Sequence, residues 1–126
     1  MKTDLAREFV NDPQAQQAAE LIRACVHCGF CTATCPTYQL LGDERDSPRG
    51  RIYLIKQMLE GQPVTRTTQQ HLDRCLSCRA CESTCPSGVQ YAHLLDIGRA
   101  VVEQRVPRPA AERYRRALLG RVLPDA

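Results

Sequence analysis

The 126-residue sequence contains no tryptophan, only two phenylalanines and an aromatic content of 5%. Bulky core side chains are scarce, so we expect something other than side-chain packing to help stabilise the fold. No apolar run approaches the roughly 20 residues that a membrane-spanning helix needs. The N-terminal segment MKTDLAREFVNDPQAQQAAE also lacks the apolar stretch of a signal peptide. We therefore expect a cytoplasmic protein without a transmembrane segment.

The net charge of +3 is mild and gives little support for nucleic-acid binding. Basic side chains gather in RVPRPAAERYRR (residues 105–116), which we interpret as a solvated helix face. The length fits one domain over residues 1–126, with loosely ordered ends at 1–13 and 118–126. The sequence shows no G-x-G-x-x-G motif, flavin site or nucleophile–base pair, so we predict no catalytic residue.

Cysteine is concentrated in two short runs. They are CVHCGFCTATCP (residues 25–36) and CLSCRACESTCP (residues 75–86), and together they hold all eight cysteines. The runs have identical spacing and form an internal repeat with an offset of 50 residues. In a chain without a secretion signal, such clusters favour metal-bound thiolates over disulfides. The eight candidate ligands are Cys25, Cys28, Cys31, Cys35, Cys75, Cys78, Cys81 and Cys85.

The spacing C-x2-C-x2-C-x3-C-P is typical of bacterial-type 4Fe–4S runs, in which the fourth cysteine ligates the other cluster. It predicts one cluster on Cys25, Cys28, Cys31 and Cys85, and a second on Cys75, Cys78, Cys81 and Cys35. Cys31 and Cys35 would serve different clusters although their Cα atoms are at most about 14 Å apart. The two clusters must therefore be near neighbours, as electron transfer requires.

Other uses of eight thiols fit less well. Two four-cysteine zinc sites would consume the same number, but zinc knuckles leave the third regular cysteine and the Cys-Pro ending unexplained. Disulfides do not suit the expected compartment. A thioredoxin-like C-x-x-C needs a βαβ setting that the sequence lacks.

The segments around the two runs have helical apolar spacing, and no alternating run insists on a strand. The pattern predicts an all-α fold, a helical ferredoxin with two cluster-binding loops. Ser47 and Pro48 have the residue types of a helix cap and first position, and Pro36 begins the helix that leaves the first loop. Helices are expected at about 14–25, from 48 to the Gly61–Pro63 region, and at 68–75, 89–104 and 109–123.

The three histidines carry weaker signals. His27, inside the first run, is interpreted as a polar neighbour of the cluster, with potential tuning or proton transfer as the alternative. His71 and His93 show no partner pattern and are expected at surface or packing positions.

Arginines near the runs are open to two interpretations. Arg79 takes the repeat position of Gly29, and a cation in one loop only predicts unequal reduction potentials; a solvated side chain is the alternative. Gly29 is expected to let the backbone approach its cluster closely. Arg49 and Arg51 either pair with an acidic partner, lie near a cluster, or are solvated at a helix start.

The helices between the two runs distinguish this sequence from small free ferredoxins. The arrangement resembles the helical ferredoxin domain of succinate dehydrogenase, anaerobic glycerol-3-phosphate dehydrogenase and heterodisulfide reductase subunits. The segments TCPTYQLLGDE and SPRGRIYLIK add a closer resemblance, to the iron–sulfur subunit family of bacterial glycolate oxidase, over about residues 14–117. Members of that family continue into two further cysteine-rich domains that this sequence lacks.

The resemblance implies an electron-transfer role. A flavin-containing partner subunit would oxidise glycolate to glyoxylate, and this chain would pass the electrons through two 4Fe–4S clusters toward the membrane quinone pool. It also implies peripheral association with the inner face of the cell membrane. Two alternatives stay open: the relay of another 2-hydroxy-acid, glycerol-3-phosphate or heterodisulfide complex, and a cluster-based redox sensor or structural scaffold.

Overall fold

The computed structural model describes residues 1–123, and within that range the chain forms helices and turns without a strand. The all-α class predicted from the sequence is confirmed. The helices are α1 (Pro13–Arg23), α2 (Pro36–Leu41), α3 (Pro48–Leu59), α4 (Arg66–Asp73), α5 (Ala80–Thr84), α6 (Tyr91–Arg105) and α7 (Ala110–Val122), with 3-10 helical turns at Phe30–Thr34 and Glu44–Asp46.

Local capping determines where the central helices begin. The side chain of Ser47 accepts a hydrogen bond from the Gly50 backbone N–H (3.0 Å), and Pro48 occupies the first helical position. The predicted start of α3 is therefore confirmed. Helix α4 begins two residues before the predicted Thr68, because the hydroxyl of Thr65 accepts from the Thr68 N–H and caps the helix earlier.

The core lies where α1, α3, α4 and α6 pack against one another. Helices α3 and α6 approach closely at Gly98, where a Cβ atom would lie 2.7 Å from Cδ1 of Ile55. The apolar faces predicted for α3 and α6 are buried; their buried members are Ile52, Ile55, Met58, Leu59, Leu94, Leu95, Gly98, Val101 and Val102.

The N-terminal segment packs along this core. The ring of Phe9 is buried, and the guanidinium carbon of Arg105 lies 4.6 Å from the centre of that ring. The amino group of Met1 donates to the carbonyl oxygens of Ile22 (3.1 Å) and Cys25 (2.6 Å). The loose order expected for residues 1–13 stays a prediction, as does that of 118–126, of which residues 124–126 lie outside the described part.

Helix α7 has no buried residue and is attached to the core through charged side chains. Arg108 contacts Asp73 (2.6 Å), Glu112 (2.6 Å) and Glu103, and only 7% of its side chain is exposed. The interpretation of residues 105–116 as a solvated face is wrong for Arg108, because three carboxylates surround its guanidinium. Those carboxylates hold the pKa of Arg108 well above its ordinary value, led by the hydrogen bonds to Asp73.

Candidate metal centre

The two cysteine runs form loops with the same backbone conformation. In the first loop φ is +61° at His27 and +88° at Gly29, and in the second it is +57° at Ser77 and +61° at Arg79. Positive φ is uncommon for residues other than glycine and marks strain that the surrounding structure must sustain. Left-handed residues in a tight loop turn backbone N–H groups toward one side, which suits the enclosure of an anionic group. The repeat in sequence is thus also a repeat in backbone shape.

The first cavity, of about 420 Å³ including its open mouth, lies against the first loop. Its walls include Ile52 and Val89, which are apolar. The predicted ligands of the first cluster all line this cavity: Cys25, Cys28, Cys31 and, from the second run, Cys85.

The second cavity, of about 300 Å³, lies against the second loop. The predicted ligands of the second cluster all line it: Cys75, Cys78, Cys81 and, from the first run, Cys35. The segments that follow the two loops, α5 and the turn at Phe30–Thr34, pack extensively against each other. This packing brings the fourth cysteine of each run to the cavity of the other.

The two cavities share a wall. Pro48, Cys81 and Tyr91 line both of them. Burial, and to a smaller extent the neighbouring Cys75, Cys31, Cys35 and Cys78, raise the pKa of the Cys81 thiol to about 12. The electrostatic effect of Cys31 and Cys35 on Cys81 reflects how closely the two runs approach.

The thiols next to the shared wall differ in acidity. Burial raises the pKa of the Cys31 thiol. Burial acts in the same direction on Cys35, but hydrogen bonds from Thr37 and the Tyr38 backbone, together with the charge of Arg51, outweigh it and lower its pKa. Cys35 is therefore the thiol whose surroundings stabilise a thiolate.

Arg51 is fully buried beside the second cavity. Its Nη1 lies 3.9 Å from Sγ of Cys35, its Nη2 donates to the hydroxyl of Thr37 (3.0 Å), and its Nε donates to the carbonyl oxygen of His71 (2.7 Å). Of the alternatives left open for Arg51, the structure excludes solvation at a helix start. Arg51 lies on the same helix face as the buried Ile55 and Met58, and an arginine at that spacing was the signal in the sequence.

Asp46 and His71 complete a buried polar group with Arg51. The carboxylate of Asp46 is fully buried and contacts Nδ1 of His71 (2.8 Å), Nη1 of Arg74 (3.2 Å) and Nη2 of Arg51 (3.7 Å). His71 is a packing residue, as expected, but it has an acidic partner that no sequence pattern indicated. Asp46 was missed because it lies in the highly charged segment DERDSPRGR, where nothing local marks it as buried.

The first cavity has a different polar neighbourhood. Arg49 pairs with Glu44 on the surface, and its Nη1 lies 3.4 Å from the carbonyl oxygen of His27. A Cβ atom at Gly29 would lie 2.5 Å from Nη1 of Arg49, so this side chain covers the loop at that point. His27 is exposed and stacks on Tyr53, with ring centres 6.0 Å apart. His93 is exposed, as expected.

The residues around both cavities fit iron–sulfur clusters. All eight cysteines are free thiols, each cavity collects at least four of them, and the strained loops close around the cavities. A cubane cluster needs four sulfur ligands distributed around a volume, which is the arrangement of these thiols. Within residues 1–123, no three histidine, cysteine or acidic side chains converge closely enough to hold a single metal ion. None of the helices described here has the length and apolar character to cross a membrane.

The chain is similar over most of its length to two iron–sulfur subunits. It is 65% identical over 124 residues, or 98% of its length, to the glycolate oxidase iron-sulfur subunit of Escherichia coli (strain K12). It is 44% identical over 73% of its length to the probable glycolate oxidase iron-sulfur subunit of Bacillus subtilis (strain 168). The chain spans only 30% and 21% of the lengths of these two relatives.

A third relative belongs to another complex. The chain is 27% identical over 78% of its length to one of the subunits of the ferredoxin:CoB-CoM heterodisulfide reductase of Methanosarcina mazei, and it covers 57% of that relative. No solved structure matches the chain. The resemblance to glycolate oxidase iron–sulfur subunits inferred from TCPTYQLLGDE and SPRGRIYLIK is confirmed.

The family model of the 4Fe-4S dicluster domain matches residues 21–89. This segment contains both cysteine runs, the strained loops, and Pro48 and Cys81 of the shared wall. The chain therefore belongs to the 4Fe-4S dicluster domain family.

Proposed function

We propose that this chain is the two-cluster electron relay of a complex that oxidises glycolate to glyoxylate. The observation that carries the proposal is the grouping of the cysteines around two adjacent cavities. Each cavity is lined by the first three cysteines of one run and the fourth cysteine of the other, and Cys81 of the shared wall also borders the first cavity. The identity of 65% to a glycolate oxidase iron-sulfur subunit supports the choice of complex.

The proposed ligands follow from the cavity walls. Cys25, Cys28, Cys31 and Cys85 would hold the first cluster, and Cys75, Cys78, Cys81 and Cys35 the second. When bound, a 4Fe–4S cluster supplies reversible one-electron transfer. The interleaved ligands keep the two sites adjacent, and the shared wall of Pro48, Cys81 and Tyr91 leaves little material between them.

Other features of the chain suit a relay. The buried apolar side chains of Ile52 and Val89 form part of the wall of the first cavity. The middle cysteine of each C-x2-C-x2-C segment, Cys28 or Cys78, is exposed, so each site reaches the surface at one ligand. Electrons can therefore enter at one site and leave from the other without a path through the helical core.

Partners complete the proposed reaction. Oxidation of glycolate to glyoxylate releases two electrons and two protons, and a flavin-containing subunit would take up both electrons together. This chain would receive them singly and pass them toward the quinone pool at the inner face of the cell membrane. The alternative complexes differ in the substrate of the flavin subunit and leave the relay itself unchanged.

The first experiment measures iron and acid-labile sulfide after anaerobic purification, with EPR of the reduced protein. We expect about eight of each per chain and spin coupling between adjacent clusters. Two zinc ions without sulfide would contradict the relay. Co-purification of a flavoprotein, followed by assays with glycolate, lactate and glycerol 3-phosphate, identifies the complex; preference for either of the last two would refute glycolate as substrate.

A further inference from the structure

We propose that Arg51 tunes the reduction potential of the second site, so that electrons pass from the first site to the second. The second site is the cavity lined by Cys35, Cys75, Cys78 and Cys81. This inference rests on the proposed function, because it assigns a direction to the relay.

The position of Arg51 is fixed by its hydrogen bonds. Its three nitrogen atoms point to Sγ of Cys35 (3.9 Å), the hydroxyl of Thr37 (3.0 Å) and the carbonyl oxygen of His71 (2.7 Å). The side chain is fully buried, so neither water nor salt screens its charge from the Cys35 sulfur. Arginine keeps its proton throughout the physiological range, so this charge is permanent.

The surrounding charges do not cancel that of Arg51. Asp46 is the carboxylate nearest to it, at 3.7 Å, but the same carboxylate also pairs with Arg74 at 3.2 Å. Two guanidinium groups thus share one carboxylate, which leaves one positive charge at the second site. Arg99 adds a further cation: it donates to the carbonyl oxygen of Cys75 (2.9 Å) and, within residues 1–123, pairs with no carboxylate.

Among the described residues that line the first cavity, Arg49 is the one arginine or lysine, and its charge is compensated. Arg49 pairs one-to-one with Glu44, and these two charges neutralise each other. About a third of the Arg49 side chain is exposed (32%), so solvent screens what remains. The two sites therefore differ: the buried Arg51 shares the carboxylate of Asp46 with Arg74, whereas the partly exposed Arg49 has the carboxylate of Glu44 to itself.

The charge difference gives the relay a direction. Reduction adds a negative charge to a cluster, and a nearby positive charge stabilises the reduced form. The second site should therefore have the higher potential and receive electrons from the first. Electrons would then enter at the rim near Cys28 and leave at the rim near Cys78.

An EPR-monitored redox titration of the cluster-loaded protein tests this assignment. The wild type should show two reduction steps. Arg51→Met should lower the higher potential, and Asp46→Asn, which removes the countercharge, should raise it. We expect each change to be about tenfold in the reduction equilibrium, or about 59 mV for one electron. Arg51→Lys should keep most of the wild-type value.

The matched control is Arg45→Met, which removes the same charge from an exposed side chain in the turn before α3 and should move neither reduction step.

A purely structural role would shift the potentials of Arg51→Met and Asp46→Asn in the same direction, and that result would overturn the proposal. So would a shift confined to the lower step, or no shift at all. If Arg51→Met does not fold, two measurements still test the proposal. Asp46→Asn should raise the higher reduction potential, and Arg51→Lys should keep it near the wild-type value. A wild type without clusters would instead refute the proposed function.

Discussion

The hydroxyl of Tyr91 lies 3.7 Å from Sγ of Cys75 and donates its hydrogen toward that sulfur. Burial raises the pKa of Tyr91 well above its ordinary value, so the hydroxyl stays protonated. Hydrogen bonds to ligand sulfurs are among the groups that tune cluster potentials, because they stabilise the added negative charge. We expect Tyr91→Phe to lower the potential of the second site without loss of iron. An unchanged potential in a redox titration would contradict this role.

The exchanged fourth cysteines predict selective losses. Cys35→Ser should damage the site that contains Cys75, Cys78 and Cys81, whereas Cys85→Ser should damage the site of Cys25, Cys28 and Cys31. Mössbauer and EPR spectra of the two variants should therefore lose different clusters. If Cys35→Ser instead removes the cluster held by its own run, each run holds a separate site.

The buried thiol of Cys81 predicts that the cluster-free protein loses stability in alkali. Its pKa rises from an ordinary value of 9.0 to about 12 on folding, with burial as the main cause. Between these values the folded chain keeps a proton that the unfolded chain releases, so the free energy of unfolding falls as pH rises. Below pH 9 the contribution of the protonated Cys81 thiol to the free energy of unfolding is fully present. Urea unfolding under anaerobic, reducing conditions at about pH 8 and about pH 10 measures the difference.

Two cysteine variants provide the controls for that measurement. Cys81→Ala should reduce the loss of stability between the two pH values. Cys28→Ala should leave it nearly unchanged, because the Cys28 side chain is exposed. Equal slopes in the wild type and in Cys81→Ala would show that other groups carry the effect.

The close approach of α3 and α6 predicts that even a methyl side chain at position 98 destabilises the fold. An added Cβ would lie 2.7 Å from both Cδ1 and Cγ1 of Ile55, which is fully buried, so the two helices or the Ile55 side chain would have to shift. We expect Gly98→Ala to destabilise the fold by about 1–3 kcal/mol in chemical denaturation. Gly120→Ala is the matched control: nothing lies within 4 Å of its Cβ, and the better helix former should be neutral or stabilising by up to about 1 kcal/mol.

The charged attachment of α7 predicts that this helix can be released separately. Arg108→Ala removes the contacts to Asp73, Glu103 and Glu112, while the core loses no apolar packing. We expect faster proteolysis near residues 106–110 and a midpoint of global unfolding that changes little. Arg115→Ala, on the exposed side of the same helix, should do neither. A large drop in global stability for Arg108→Ala would show that α7 belongs to the cooperative core.

Local patterns made much of this fold predictable. The Ser47–Pro48 start of α3 depends on neighbouring residues only, and so does the helix that begins at Pro36. The cysteine grouping was predictable because each run is short and its spacing is characteristic. The repeat itself misleads in one respect: residues 30–34 form a 3-10 turn whereas the equivalent residues 80–84 form an α-helix.

The buried polar group could not be predicted in the same way. Aspartate and arginine are usually exposed and histidine is intermediate, so Asp46, Arg51 and His71 are each compatible with a surface position. Their burial arises only when α3 and α4 pack around the Glu44–Asp46 turn, which depends on contacts between residues 20 and 25 positions apart. The spacing of Arg51 with Ile55 and Met58 on α3 is a local signal for that one side chain, but no pattern within one segment identifies Asp46 or His71 as its buried neighbours.

The wall between the two cavities has a consequence for how the protein would withstand oxygen. Cys81 is a proposed ligand of the second cluster and also borders the first cavity. Oxidative loss of the second cluster would free the Cys81 thiol beside the first cavity, while Cys85 of the same run would still be a ligand of the first cluster. Damage at the second site would thus place an unligated thiol in the wall of the first.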